Sequence, residues 1–321
     1  MSGQLNGRRV TVFGGAGFVG RHVVQRLARA GALVTVASRD TIAAAYLKPM
    51  GDVGQVTPVH ASIVRPKTVA AAVENADIVI NLVGILSQFS QNFANIHVRG
   101  ARNVAEAAAE AGVDRLIHVS AIGANADAVS AYARSKAAGQ AAVQAAFPGA
   151  TILRPSVIFG AEDDFLNRFA GLARLLPVIM PMIGDGTSRL QPVAVEDVAD
   201  AVMACLGDHA TAGETYELGG PEVLTQQQVI EYVLESTDNS RHLIVPIPAP
   251  LAKIAGFFAQ LLPAPVLTAD QVAMTEDDFT VQDGVKTLAD LGIAQPTPMQ
   301  GTSLGFLQRY RGAGATVDAD I

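Results

Sequence analysis

Tyr132 and Lys136 stand four residues apart in the segment Tyr132-Ala133-Arg134-Ser135-Lys136. On a helix that spacing puts both side chains on one face. A phenol ordinarily keeps its proton well above neutral pH, and a neighbouring ammonium favours the phenolate. Such a pair suits general acid or base work in hydride chemistry. Upstream, Ser120 closes the run His118-Val119-Ser120 and offers a hydroxyl to a substrate carbonyl or alkoxide. Ser120, Tyr132 and Lys136 are therefore the candidate catalytic set. A surface tyrosine beside a solvated lysine would leave the same trace, and the lysine can hold a ribose even without turnover. What decides between these readings lies earlier in the chain.

The run Val10-Thr11-Val12-Phe13-Gly14-Gly15-Ala16-Gly17-Phe18-Val19-Gly20 has glycines at 14, 17 and 20, directly after a β-branched stretch and at the opening of a helical pattern. In that context the triplet reads as a dinucleotide-binding loop. Gly14 allows a tight turn, Gly17 lets backbone approach a pyrophosphate, and Gly20 permits close helix–strand packing. The helix start offers free N–H groups and a positive dipole end to the phosphates. Gly15, Phe18 and Val19 complete the loop. At the end of the second strand an NAD site usually carries an acid for the ribose 2′-hydroxyl. Here that place is Ser38, followed by Arg39 and then Asp40. An uncharged residue with an adjacent guanidinium suits a 2′-phosphate better, so NADP(H) is expected in preference to NAD(H).

The elements that must position these residues alternate. Strands are expected at Arg9–Phe13, Leu33–Ala37, Val56–Val59, Ala76–Asn81, Arg115–Val119 and Ala150–Leu153. Helices are expected over Val19–Ala30, Thr68–Val73, Ala94–Ala111 and Tyr132–Ala146. Nearly all-apolar strands separated by helices imply a parallel sheet covered on both faces, hence an α/β, doubly wound Rossmann fold. After Pro155 the rhythm loosens. A helix is expected over Val195–Leu206, a late strand at Thr215–Leu218, and a helix over Thr225–Thr237 whose Thr225 and Gln228 fit a capping box. The expected organisation is a dinucleotide-binding domain over 1–160, with returns from about 190–220, and a smaller C-terminal lobe over 161–321.

Composition narrows the class. The 321 residues are 50% hydrophobic, carry a formal charge of -7 and show no long Lys/Arg run, which argues against nucleic-acid binding. Cys205 is the only cysteine, so no internal disulfide and no thiolate zinc cluster can form. His97 lacks neighbours at ligand spacing, and no metal site is expected. No export or transit signal and no run of the ~18–20 apolar residues needed to span a bilayer is found. The expectation is a cytoplasmic, bacterial chain.

The glycine loop, Asn81-Leu82-Val83-Gly84 and the Tyr132/Lys136 pair together resemble an extended, atypical short-chain dehydrogenase/reductase. Further segments sharpen the likeness: Phe147-Pro148-Gly149-Ala150, Arg154-Pro155-Ser156-Val157-Ile158-Phe159-Gly160, Glu162 to Asn167, and Gln191 to Val198. These resemble the nucleotide-binding accessory-subunit branch of that family, found in respiratory complex I, over about residues 8–310. The resemblance implies a largely structural NADPH and docking on the peripheral arm of complex I near the membrane. It implies Arg39 at the 2′-phosphate, Asn81, Val83 and Gly84 beside the adenosine ribose, Lys136 at the nicotinamide ribose, and Pro155 and Ser156 along the nicotinamide pocket. Two positions depart from the family pattern. Ser62 stands where an Asp near the adenine is common, and His97 stands where an Asn precedes the helix glycine Gly100.

The most apolar stretch, residues 248–263, is open to three readings: a core helix, a partner contact or a peripheral membrane contact. Two functions remain in play. One is a binding and assembly subunit holding NADPH. The other is an active NADP(H)-dependent oxidoreductase or epimerase acting on a small carbonyl or sugar-nucleotide substrate.

Overall fold

Seven short runs, apolar and largely β-branched, line up as one parallel sheet. They are β1 (Arg9–Phe13), β2 (Leu33–Ser38), β3 (Val56–His60), β4 (Ile78–Asn81), β5 (Arg115–Val119), β6 (Thr151–Pro155) and β11 (Thr215–Leu218). Their order across the sheet is β11-β6-β5-β4-β1-β2-β3. All four residues of β4 and the last four of β1 are buried, as strands covered on both faces must be. The order reverses direction between β1 and β4, the place where a doubly wound sheet opens a crevice at the carboxyl ends of its strands. The computed structural model describes residues 5–86, 92–176, 178–248, 250–252, 269–274, 277–301 and 304–311. The apolar stretch 248–263 lies largely outside them.

Helices α1 (Phe18–Arg29), α2 (Pro66–Val73), α3 (Ala101–Glu110), α4 (Ala131–Ala146) and α6 (Val195–Gly207) cover this sheet. In α1 the buried residues are Gly20, Val23, Val24, Leu27 and Ala28, one apolar stripe at helical spacing. One sheet face packs Phe13, Ala37, Val79 and Leu116 against Val69, Val104, Ala108 and Val143. The expected single helix over 94–111 is in fact two pieces. Ala94–Gly100 is wound as a π-helix and runs straight into α3. Apolar periodicity cannot report that extra residue per turn, and such bulges recur at functional sites.

The chain divides into two units. The first holds Met1–Pro155, Val195–Leu218 and Val281–Gln295, and the second holds Ser156–Ala194, Gly219–Thr280 and Pro296–Ile321. The second unit thus opens at Ser156, where a lobe starting at 161 was expected, and 281–295 returns to the first. In the first unit β11 covers the outer edge of β6. Glu217 on β11 pairs with Arg154 at 3.5 Å, accepts the Gln282 N–H at 3.0 Å and donates its own N–H to the Lys286 carbonyl at 2.8 Å.

The second unit carries α5 (Leu166–Leu175), α7 (Gln226–Ser236) and a two-stranded parallel pair, β8 (Ile179–Ile183) with β13 (Leu243–Ile247). The Thr225/Gln228 capping box is present at the start of α7. Among the described residues no helix is long and apolar enough to cross a membrane.

Candidate functional site

Gly14, immediately after β1, turns the chain with φ +80°. A Cβ there would stand 3.1 Å from the Leu82 carbonyl carbon and 3.2 Å from the Val83 nitrogen, so glycine brings the loop against the segment after β4. Gly20 is demanded by packing, because a Cβ at that position would fall on the Gly14 carbonyl oxygen. Gly17 differs from both. It is exposed, caps α1, and a Cβ there would meet only the Gly14 oxygen at 3.2 Å. The protein's own packing therefore restricts Gly17 at a single tight contact, far less than at Gly20, while an approaching phosphate would need the position bare. No side chain caps α1 and no acid occupies its first turn, so the amide end at Phe18 and Val19 keeps its full positive character. These residues fit a dinucleotide pyrophosphate.

At the end of β2 the Ser38 hydroxyl donates to the Asp40 carbonyl at 2.9 Å. The Asp40 carboxylate accepts N–H groups from Ile42 and Ala43 at 3.0 and 2.9 Å, starting the 3-10 helix Ala43–Met50. The one acid after β2 is thus committed to backbone. Arg39 is exposed, and its carbonyl is held by His60 Nδ1 at 3.1 Å. From that 3-10 helix Tyr46 donates its hydroxyl to the Ala16 carbonyl at 3.0 Å, and its ring lies under Arg21. Ser62, after β3, is tied by its N–H to Thr68 Oγ1 at 3.0 Å.

β4 delivers Asn81, almost fully buried. Its Oδ1 accepts the Val83 N–H at 3.2 Å and its amide nitrogen meets His118 Nδ1 at 3.2 Å. The loop through Val83 and Gly84 then reaches His97. A Cβ on Gly84 would lie 3.9 Å from both His97 Nε2 and Lys136 Nζ, so two nitrogen groups converge on that bare position.

Helix α4 starts at the Ser130 cap and presents Tyr132 and Lys136 one turn apart. The buried Lys136 ammonium donates to the Val119 carbonyl at 2.9 Å, at the end of β5. Burial lowers its pKa to about 8. Loss of water pushes the Tyr132 phenol up to about 12. For the phenol, desolvation outweighs the pull of the Lys136 ammonium, which gives one of its three N–H groups to the Val119 carbonyl. Ser120 Oγ, next along the chain, is buried with no hydrogen-bond partner among the described residues. Buried hydroxyls are normally paired, so this one is suited to a ligand oxygen.

The sequence also hid participants. Phe93 stacks on His97 with centroids 5.2 Å apart, and Tyr132 meets both rings edge-on at 5.8 and 5.5 Å. Ser135, a mere spacer in the Tyr–Lys motif, bonds His97 Nδ1 at 2.8 Å. Pro155 closes β6, whereas Ser156 opens the second unit and donates its hydroxyl to the Phe279 carbonyl at 2.8 Å.

The strand order, the glycine turn and the bare helix start define a dinucleotide-binding Rossmann protein. Residues 10–219 match the model of the NAD dependent epimerase/dehydratase family. The NADH-ubiquinone oxidoreductase 40 kDa subunit of Neurospora crassa mitochondria is 35% identical over 96% of this chain and 81% of its own length. The Arabidopsis thaliana NADH dehydrogenase (ubiquinone) 1 alpha subcomplex subunit 9 is 36% identical over 99% of this chain and 82% of its own. Among solved structures, an epimerase of Methanothermobacter thermautotrophicus superposes with a TM-score of 0.75 at 18% identity, over 95% of this chain and 92% of that one. The chain belongs to the epimerase/dehydratase family and, within it, to the branch formed by complex I alpha subcomplex subunit 9 and its relatives.

Proposed function

We propose that this chain holds NADP(H) as a lasting structural part and serves as an accessory or assembly subunit of respiratory complex I, docked on the peripheral arm. The location that goes with this reading is the cytoplasmic face of a bacterial inner membrane. The observation that carries it is the kinship with subunit 9 proteins over nearly the whole chain. The site's chemistry is compatible with retention: the buried Lys136 ammonium gives one N–H to the Val119 carbonyl and has others for a ribose. NADP(H) over NAD(H) is supported by the guanidinium of Arg39 beside Ser38 and by the engagement of Asp40 with backbone N–H groups. The proposed contacts are Gly14, Gly15, Gly17, Phe18, Val19 and Gly20 at the pyrophosphate, and Ser38 and Arg39 at the 2′-phosphate. Ser62, Asn81, Val83 and Gly84 take the adenosine side, and Lys136, Pro155 and Ser156 the nicotinamide side. Native purification from membranes, with mass spectrometry of the nucleotide and of accompanying proteins, tests this. NADPH and complex I subunits are expected to come along; a nucleotide-free protein that purifies alone would overturn it.

The orphaned Ser120 hydroxyl favours one second reading, an active NADP(H)-dependent oxidoreductase or epimerase acting on a small carbonyl or sugar-nucleotide substrate. On that reading Ser120 would bind the reacting oxygen, Tyr132 would exchange its proton, and Lys136 would orient the ribose. Substrate-dependent oxidation of NADPH that disappears in Tyr132→Phe would establish it.

A further inference from the structure

His97 bridges two pieces of chain, the loop after β4 and helix α4, that otherwise meet through apolar packing of Val83, Ile85 and Val143 in one cluster. Its Nε2 lies 3.0 Å from the Ile85 backbone nitrogen, in the loop after β4. Its Nδ1 lies 2.8 Å from Ser135 Oγ, in the helix that carries Tyr132 and Lys136. The partners fix the tautomer. Ile85 N–H can only donate, so Nε2 is the bare acceptor and Nδ1 carries the proton. That proton goes to Ser135 Oγ, whose own hydrogen goes to the Tyr132 carbonyl at 2.7 Å. Every donor and acceptor in the line from Ile85 to Tyr132 is used once and in one direction.

The ring is also held by its neighbours. Phe93 stacks on it with planes 13° apart, and Tyr132 meets both rings edge-on, at 86° to the imidazole. Its backbone is pinned from outside the site: a Cβ on Gly139 of α4 would fall on the His97 carbonyl oxygen, so the π-helical segment and α4 touch backbone to backbone. Burial and the nearby Lys136 ammonium lower the imidazole pKa to about 3, so both bonds persist through the neutral range.

We propose that His97 is a positioning residue that fastens the loop after β4 to the Tyr132–Lys136 helix and thereby sets how long a bound nicotinamide dinucleotide stays. This rests on the dinucleotide reading above for its ligand, but the tie itself belongs to the protein alone. Gly84 and Lys136 are the groups it holds at a fixed separation, since His97 Nε2 and Lys136 Nζ both face the Gly84 Cα. A loop released from His97 would open that wall at Gly84 and Ile85, beyond the Leu82–Val83 segment that packs on Gly14.

The test compares His97→Ala and His97→Asn with the parent in the full chain. Two measurements are made: hydrogen exchange at the Ile85 amide without nucleotide, and the rate at which bound NADPH leaves, followed by its fluorescence. His97→Ala is expected to speed exchange at Ile85 at least tenfold and NADPH release about tenfold, while amides of the glycine loop stay within twofold. His97→Asn, whose amide can accept from Ile85 and donate to Ser135, is expected to restore most of both. Release and exchange unchanged in His97→Ala, or an Asn variant as damaged as Ala, would overturn the proposal. If the parent binds no NADPH, the dinucleotide reading fails, while exchange at Ile85 still reports on the tie. If His97→Ala does not fold, Ser135→Ala, which removes the ring's other partner, carries the comparison with an expected threefold effect. No change at Ile85 in that variant would count against the tie.

Discussion

The two ends of the nucleotide site are built from different materials. The phosphate end is backbone: a left-handed Gly14, a bare Gly17 and an uncapped helix start. The lysine end is side chains, a mostly buried lattice of Lys136, His97, Ser135, Tyr132 and Phe93. A backbone cradle depends on a few residues too small to be replaced. A side-chain lattice depends on every partner being in place, and a change at one member reaches the others. The first kind of site is robust and generic. The second can be retuned from turnover towards retention while Ser120, Tyr132 and Lys136 all stay.

The sharpest way to break this comparison is at the phosphate end. Gly20→Ala forces a side-chain carbon onto the Gly14 carbonyl and should cost about 3 kcal/mol or more, removing fold and binding together in a thermal melt. Gly17→Val should separate the two. Binding of NADPH should fall by more than about a hundredfold while the nucleotide-free melting temperature falls much less than in Gly20→Ala, because a Cβ at 17 meets only the Gly14 oxygen, at 3.2 Å. Arg39→Ala should weaken NADPH by about ten- to a hundredfold and NADH little, as loss of a charge-assisted contact to the 2′-phosphate requires. Equal losses in titrations of the two would contradict the NADP(H) preference.

At the lysine end the expected effects are smaller and depend on pH. Burial lowers the Lys136 pKa from 10.5 to about 8, so the folded chain binds fewer protons than the unfolded chain between those values. Lys136 should therefore add about 3 kcal/mol of stability as pH rises across that window, its cost being fully present below pH 8, while the Cys205 thiol, pushed by burial from 9.0 up to about 12, works the other way above pH 9. Denaturation of the parent and of Lys136→Met at pH 7.5 and pH 10 isolates the lysine's share, and the variant should lose that rise. With the ammonium as ribose donor, NADPH affinity should fall as pH rises through about 8 in the parent and not in Lys136→Met. Tyr132→Phe is expected to change NADPH affinity by less than about threefold; a larger loss would mean that the phenol does more than pack.

Much of the first unit was legible. Strands at Arg9–Phe13, Arg115–Val119 and Thr215–Leu218 fall where apolar runs are bounded by polar or glycine residues. Backbone-made chemistry is written in glycine, so the loop at 14–20 could be read directly. The 3-10 helix Ala43–Met50 was missed because its alanines and Pro49 give no clear period. β13 was missed because its partner β8 lies far off in sequence and Pro246 argues against a strand. The lattice at the lysine end was invisible for a deeper reason. Ser135 acquires its role only when α4 lies across the π-helical turn, and no spacing along the chain records that contact. The rise of the Tyr132 phenol was not legible either, because desolvation depends on the surrounding fold.

The sheet's closing edge has a consequence for how the chain comes into being. β6 is capped by β11, and Glu217 anchors Arg154 and residues 282 and 286 around it. A growing polypeptide that has emerged only to Pro155 carries every strand of the sheet but one, with the outer N–H and C=O groups of β6 unmet. Such an open edge invites pairing with a second nascent copy. The glycine loop, Lys136 and His97 are all already synthesised at that moment. Nucleotide capture can therefore precede closure of the sheet, and a fragment ending at Pro155 should self-associate in sedimentation more strongly than the full chain.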